Sequence, residues 1–138
     1  MKISDNTDIL NIYWEDRENV PYKVGFLAQA DKDFYTVFNT KNRIKDASEI
    51  GYKGIPGFIP GEVYKSNRLF DFWAVRLLNK KSDIPLKELK ETQGRSMVDS
   101  FFVLDDIPEE MKEELLSALE QAYETQQKLN QMRAALQK

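Results

Sequence analysis

The chain has no cysteine and no histidine. The first absence rules out disulfides, thiolate catalysis and cysteine-ligated metal. The second removes the usual general base, the usual metal ligand and every Ser-His or Cys-His pairing. No run approaches the roughly 18 apolar residues that a membrane span needs. The start, "MKISDNTDILNIYW", has no basic flank followed by an apolar stretch, so no signal peptide is expected. A soluble, cytoplasmic protein is the reading that follows. No internal repeat and no low-complexity tract is present.

What is present is ordinary globular composition: 138 residues, 41% hydrophobic and 12% aromatic, enough for one domain with a real core and an appendage. The net charge of −3 is unevenly spread. Residues 32–95 hold 13 basic and 8 acidic side chains, whereas residues 96–138 hold 4 and 9. A basic middle suits phosphates or an acidic partner; it equally suits a solvated surface paired with the chain's own acidic ends.

Three segments have strand character: "ILNIYW" (9–14), "YKVGFLAQ" (22–29) and "FYTVFN" (34–39). Period two places Tyr22, Val24 and Phe26 on one face of the second, and Phe34, Thr36 and Phe38 on one face of the third. Short polar connections make these an antiparallel meander. Gly25 inside a strand marks a bulge or a close approach by another backbone. Residues 41–51 read as a short helix ended by Gly51.

Then comes "GYKGIPGFIPG" (51–61), which glycine and proline bar from helix and from central strand, yet which carries Tyr52, Ile55, Phe58 and Ile59. A loop this apolar packs on its own core or on a partner. The next stretch reads as a buried helix capped by Ser66, with Leu69, Phe70, Trp73 and Leu77 at three- and four-residue spacing. A second short helix follows Ser82 or Asp83 and ends at Gly94, and "MVDSFFVL" (97–104) reads as a strand that closes the sheet.

The tail reads as one long helix, with Asp106 and Glu109 at capping-box spacing. Glutamates crowd its start, and Lys128, Arg133 and Lys138 its end, both favourable to the helix dipole. A heptad frame runs through Leu115, Ala122, Leu129 and Leu136, with Met111, Ala118, Thr125 and Met132 in the alternate position. A helix of this length exceeds about 40 Å, so its far end is expected to project, to pair or to fray. The fold class is therefore α+β: a small antiparallel sheet with packed helices, residues 1–106, followed by a long C-terminal helix, 107–138, as a coiled-coil or partner-binding appendage.

No catalytic constellation emerges. Glu15 with Asp16 and Asp105 with Asp106 are adjacent acids of the kind found solvated in turns and caps. "GYKGIPG" lacks the Gly-Lys-Ser/Thr ending of a phosphate loop, and Ser96 and Ser100 have no base to activate them. Neither an enzyme, nor a cofactor, nor a metal is expected. Tyr52 with Lys53, Tyr64 with Lys65 and Trp73 with Arg76 pair an aromatic ring with a cation, a combination that stacks on unpaired bases or simply packs.

The order of parts resembles the small N-terminal subdomain of HipA-type toxin kinases, and is similar to the related module that precedes HIRAN domains in some bacterial proteins. The residues carrying the resemblance are Gly57, Phe58, Val63, Tyr64, Ser66, Leu69, Phe70, Phe72, Arg76, Leu77, Gly94, Arg95 and Asp99, within about residues 12–106. Asn79 stands where HipA-type chains carry a proline, and the long helix stands where a kinase core or HIRAN domain would follow.

The resemblance implies a non-catalytic protein-interaction module of toxin–antitoxin type, an antitoxin-like regulator binding a HipA-type kinase. On that reading Phe58, Tyr64, Trp73 and Arg76 contact the partner, and Leu115, Ala122, Leu129 and Leu136 support a homodimer or a second contact. The alternative is a nucleic-acid-associated accessory protein, HIRAN-linked or carried by a mobile element, touching phosphates through Lys53, Lys65, Arg68, Arg76, Lys80 and Lys81.

Overall fold

The computed structural model describes residues 7–40, 45–77, 84–97 and 99–137. Its centre is a five-stranded antiparallel sheet. The meander is β1 (Thr7–Glu15), β2 (Pro21–Ala30) and β3 (Asp33–Phe38). Tight turns join the strands because polar side chains replace ladder bonds there. The Asp16 carboxylate accepts from the N–H of Glu18 at 2.8 Å and of Val20 at 3.0 Å, and Asn19 takes the left-handed conformation that closes the reversal (φ 63). At the next turn Asp31 does the same (φ 57).

The helix α1 (Lys45–Glu49) follows, and Gly51 after it has φ 112, the expected stop. Residues 41–44 of the expected helix lie outside the described residues. The strand β4 (Val63–Ser66) corrects the reading of Ser66 as a helix cap. The glycine–proline loop turns the chain back so that Val63 pairs with Val37 and Ser66 with Phe34 along the open edge of β3. Ladder bonds satisfy this backbone where a helix was expected. Helical structure begins only at α2 (Asp71–Ala74), with Phe70 in the cap position.

The helix α3 (Pro85–Thr92) starts on its proline and stops where Gln93 and Gly94 turn left-handed (φ 62 and 60). Its expected caps, Ser82 and Asp83, lie outside the described residues. The strand β5 (Phe101–Leu104) pairs with β1, giving the order β4-β3-β2-β1-β5. It is shorter than expected: the Asp99 carboxylate takes the N–H of Phe101 at 3.1 Å, and the Ser100 carbonyl makes the last bond to β1, from the Glu15 N–H at 3.0 Å.

The chain ends in α4 (Glu109–Leu136). Pro108 occupies its cap position without a side-chain cap, so the expected Asp106 capping box is not formed. The Asp106 carboxylate is held instead by Asn11 Nδ2 at 2.7 Å and by the Tyr13 hydroxyl. Among the described residues, no helix is long and apolar enough to cross a membrane.

The sheet has two unlike faces. One buries Leu10, Ile12, Val24, Leu27, Phe34 and Phe38 beneath Trp73, Leu77, Leu86, Leu89, Tyr52 and Ile55. The other carries Ile9, Ala28, Tyr35 and Val63 beneath Leu116 and Leu119 of α4. Gly25 decides which residues of β2 go where. A Cβ at Gly25 would lie 2.3 Å from the Val37 carbonyl oxygen, and the β1–β2 register shifts between Ile12 and Tyr13, opposite it. This bulge sends Val24 to the first face and Phe26 to the second, against the expectation that they share one; a one-residue slip exchanges the faces of everything beyond it.

Candidate docking surfaces

Of the apolar residues that carry the resemblance, Phe58, Leu69, Phe70, Phe72 and Leu77 pack on the first face and Val63 on the second. Arg76 donates from Nη1 to the Gly94 carbonyl at 2.7 Å and to the Phe101 carbonyl at 3.3 Å, and its Nη2 grips the Asp99 carboxylate. Its guanidinium also lies 4.4 Å from the Phe72 ring centroid and 4.8 Å from that of Trp73. Arg76, Gly94 and Asp99, far apart in sequence, thus form one clasp that ties Gly94 and residues 99–101 to the end of α2. Trp73 is 1% exposed, and the Arg76 side chain 4%. Both were read as partner contacts. The structure assigns them to the interior, because the large ring fills the space between α3 and the sheet and the guanidinium satisfies carbonyls there.

Phe58 and Tyr64 are half-buried and part of the loop's own architecture. The Phe58 ring packs edge-on against Tyr64 (5.1 Å between centroids) and Phe70 (5.8 Å), and tilted on Phe38 (5.3 Å). The Tyr64 hydroxyl accepts the Ile59 N–H at 2.8 Å. Gly57 has φ 92, and Gly61 has φ 85 with its N–H on the Phe38 carbonyl at 2.6 Å. Held at both ends, the loop presents Ile59 outward at 58% exposure, with Pro56 and Pro60 exposed beside it. Tyr52 packs instead on Trp14 and Phe101, and its hydroxyl is buried with no hydrogen-bond partner among the described residues; that burial pushes its pKa up to about 12.

The second face is pinned by charge. Lys112, 1% exposed, reaches Asp8 of β1 at 2.8 Å and Asp105 at 2.5 Å; Lys90 of α3 reaches Asp8 at 2.6 Å and Asp105 at 3.4 Å. Burial works against the charge on Lys112, but its bonds to Asp105 and Asp8 outweigh it and raise its pKa. Burial likewise opposes ionisation of Asp8, yet Lys112 and Lys90 together hold its carboxyl below the usual range. Farther along α4, the Gln126 amide accepts from the Val63 N–H and donates to the Val63 carbonyl, both at 2.9 Å. It serves β4, the edge strand, as one more ladder partner. Nothing in the sequence pattern marked either device.

Between these pins α4 leaves an open groove of about 630 Å³, lined on the sheet side by Ile9, Phe26, Val37 and Val63 and on the helix side by Leu115, Ala118 and Ala122. Of the residues expected to mediate oligomerisation, Leu115 is thus half-buried against its own sheet and Ala122 lines the groove. Leu129 and Leu136 are 48% and 83% exposed, and every described residue from Lys128 onward is exposed.

The cations proposed for nucleic acid differ in their surroundings among the described residues. Lys53 and Arg68 are exposed; Lys65 lies 3.8 Å from Asp33 and over the rings of Tyr35 and Tyr123; Arg76 is inside; Lys80 and Lys81 lie outside the described residues. Among the described residues no group of three or more acids is placed to hold a metal ion. Comparison with protein-family models, with curated proteins and with solved structures finds no match to this chain.

Proposed function

We propose that the protein is a non-catalytic interaction module whose 54–62 loop docks on a partner protein, with a HipA-type kinase as that partner. The observation that carries the reading is the braced loop, in which an exposed Ile59 stands on the Phe58–Tyr64–Phe70 cluster with its own N–H tied to Tyr64. A contact loop fixed before binding loses little entropy on docking, and an apolar tip over aromatic rings is the composition of an interface anchor. The kinase is named on the sequence resemblance alone. The nucleic-acid alternative has less behind it, since Lys90, Arg95 and Lys65 of the basic middle all lie against the chain's own acids.

The test is capture from the native host with the full chain, identifying what is retained. A kinase-like protein held by the wild-type chain and lost with Ile59→Asp is the expected result. Retention of no kinase-like protein, or retention indifferent to Ile59→Asp, overturns the reading.

A further inference from the structure

We propose that the groove beside α4 is filled by α4 of a second copy of this chain, antiparallel to the first, so that the exposed far half of each helix seats on the near half of the other. The heptad positions of α4 are self-complementary in that arrangement. Met111, Leu115, Ala118 and Ala122 occupy the near half; Thr125, Leu129, Met132 and Leu136 occupy the far half. Each set spans eleven residue rises, about 17 Å of helix.

A two-fold axis between Tyr123 and Glu124 sets Met111 opposite Leu136, Leu115 opposite Met132, Ala118 opposite Leu129 and Ala122 opposite Thr125. The outer pairs are large on large, Ala118 faces Leu129, and the small Ala122–Thr125 pair sits nearest the axis, so the methyl groups of Ala118 and Ala122 let the partner helix lie close to Phe26 and Val37 at the groove floor. Met132 and Leu136, 61% and 83% exposed in the single chain, would be covered.

Charge selects the same direction. The near half carries Glu109, Glu110, Glu113, Glu114 and Glu120, and its lone cation, Lys112, is spent on Asp8 and Asp105. The far half carries Lys128 and Arg133, and its single acid, Glu124, lies at the axis. Antiparallel pairing lays basic on acidic at both ends; parallel pairing lays like on like along the whole helix. The contact is isologous, so it closes at two copies. Ile59 is not among the residues that line the groove, although Gly61 at the end of the same loop is, and the proposal stands independently of the kinase reading.

The experiment is the mass of the full chain by light scattering over a concentration series, for wild type and for Leu129→Asp with Met132→Asp. Two chains per particle are expected for wild type and one for the double variant, with the far-ultraviolet spectrum unchanged because both positions are exposed. A single-chain mass for wild type throughout, or a two-chain mass that survives the double substitution, overturns the proposal.

Orientation is read in the cysteine-free background. Ala118→Cys mixed with Leu129→Cys should give a cross-linked heterodimer, and neither variant alone should cross-link to itself. Self-cross-linking of each alone, with no heterodimer, overturns the antiparallel assignment. Ile59→Asp should leave the mass at two chains, which separates failure of this contact from failure of loop docking.

Discussion

The two faces of the sheet are closed by different physics. The first is covered by residues of α1, the loop after it, α2 and α3, and its stability resides in apolar volume: Trp73, Leu77, Leu86 and Leu89 are buried over strands whose inward residues are nearly all aliphatic or aromatic. The second is covered by a single helix that buries few large apolar side chains and is located by a lysine between two aspartates and by one glutamine on an edge strand. Dense packing is non-directional and strong; ion pairs and amide bonds are directional and, net of desolvation, weaker. The first face is therefore expected to hold the fold and the second to hold a position, and the latter arrangement leaves a groove open.

The comparison is tested most severely by Trp73→Ala. The ring contacts Phe72 edge-on at 5.1 Å and lies against Gly94, where an added Cβ would come within 3.3 Å of it. Truncation leaves a cavity that neighbours on α3 and the sheet cannot fill, and removes the surface on which Arg76 stacks. A loss of about 3–5 kcal/mol is expected, large enough against ordinary domain stability to unfold much of the population. Urea denaturation followed by far-ultraviolet dichroism measures it, and a loss no greater than that of a surface substitution would contradict the assignment of the fold to this face.

Lys112→Ala should cost about 3 kcal/mol, because it leaves Asp8 buried with Lys90 as its remaining cation. What distinguishes the two faces is where the loss appears. Amide exchange should accelerate through α4, while the strands over Trp73 keep their protection.

The same cluster sets a pH dependence. The folded pKa of Asp8 lies below its unfolded value of 3.8, so its stabilisation is present above pH 3.8 and is lost as pH falls through the depressed folded value. The folded pKa of Lys112 lies above 10.5, so its contribution is present below pH 10.5 and is lost as pH rises through the raised value. In Lys112→Ala both losses should shrink, the alkaline one to the part that Lys90, whose pKa is also raised despite burial by Asp8 and Asp105, still contributes. An α4 that opens at the same pH in wild type and variant would dissociate the helix from the charge cluster.

These contrasts also explain how far the sequence could be read. Period-two patterning in 9–14, 22–29 and 34–39 and the long terminal helix were legible, because local alternation and helical spacing are direct consequences of which face is buried. The strand β4 was not. Four residues beside glycine and proline carry too little pattern, and their pairing with β3 depends on where a loop returns. The Val24/Phe26 exchange was signalled by Gly25, but the direction of a bulge depends on the neighbouring strand. Trp73 was legible as a core residue, whereas Arg76 gave no sign of its bond to Asp99, 23 positions away. Asp8 and Lys112, 104 positions apart, meet only once α4 crosses β1, so no spacing argument reaches them.

Gln126→Ala is the smallest effect and the sharpest probe of the second face. The Gln126 amide satisfies both backbone groups of Val63 on the outer edge of the sheet, and neither bond is fully buried. Water replaces part of what is lost there, so about 1–2 kcal/mol is expected from two hydrogen bonds. The local consequence is larger than the global one. The Val63 amide should exchange at the rate of an exposed edge, and the far half of α4 should lose its last contact with the sheet. An uncovered edge strand also invites pairing with other chains, which light scattering over time would register. Unchanged exchange at Val63 would mean that α4 is held over β4 by Tyr123 against Tyr35, 6.2 Å between rings, and that the glutamine is incidental to the edge.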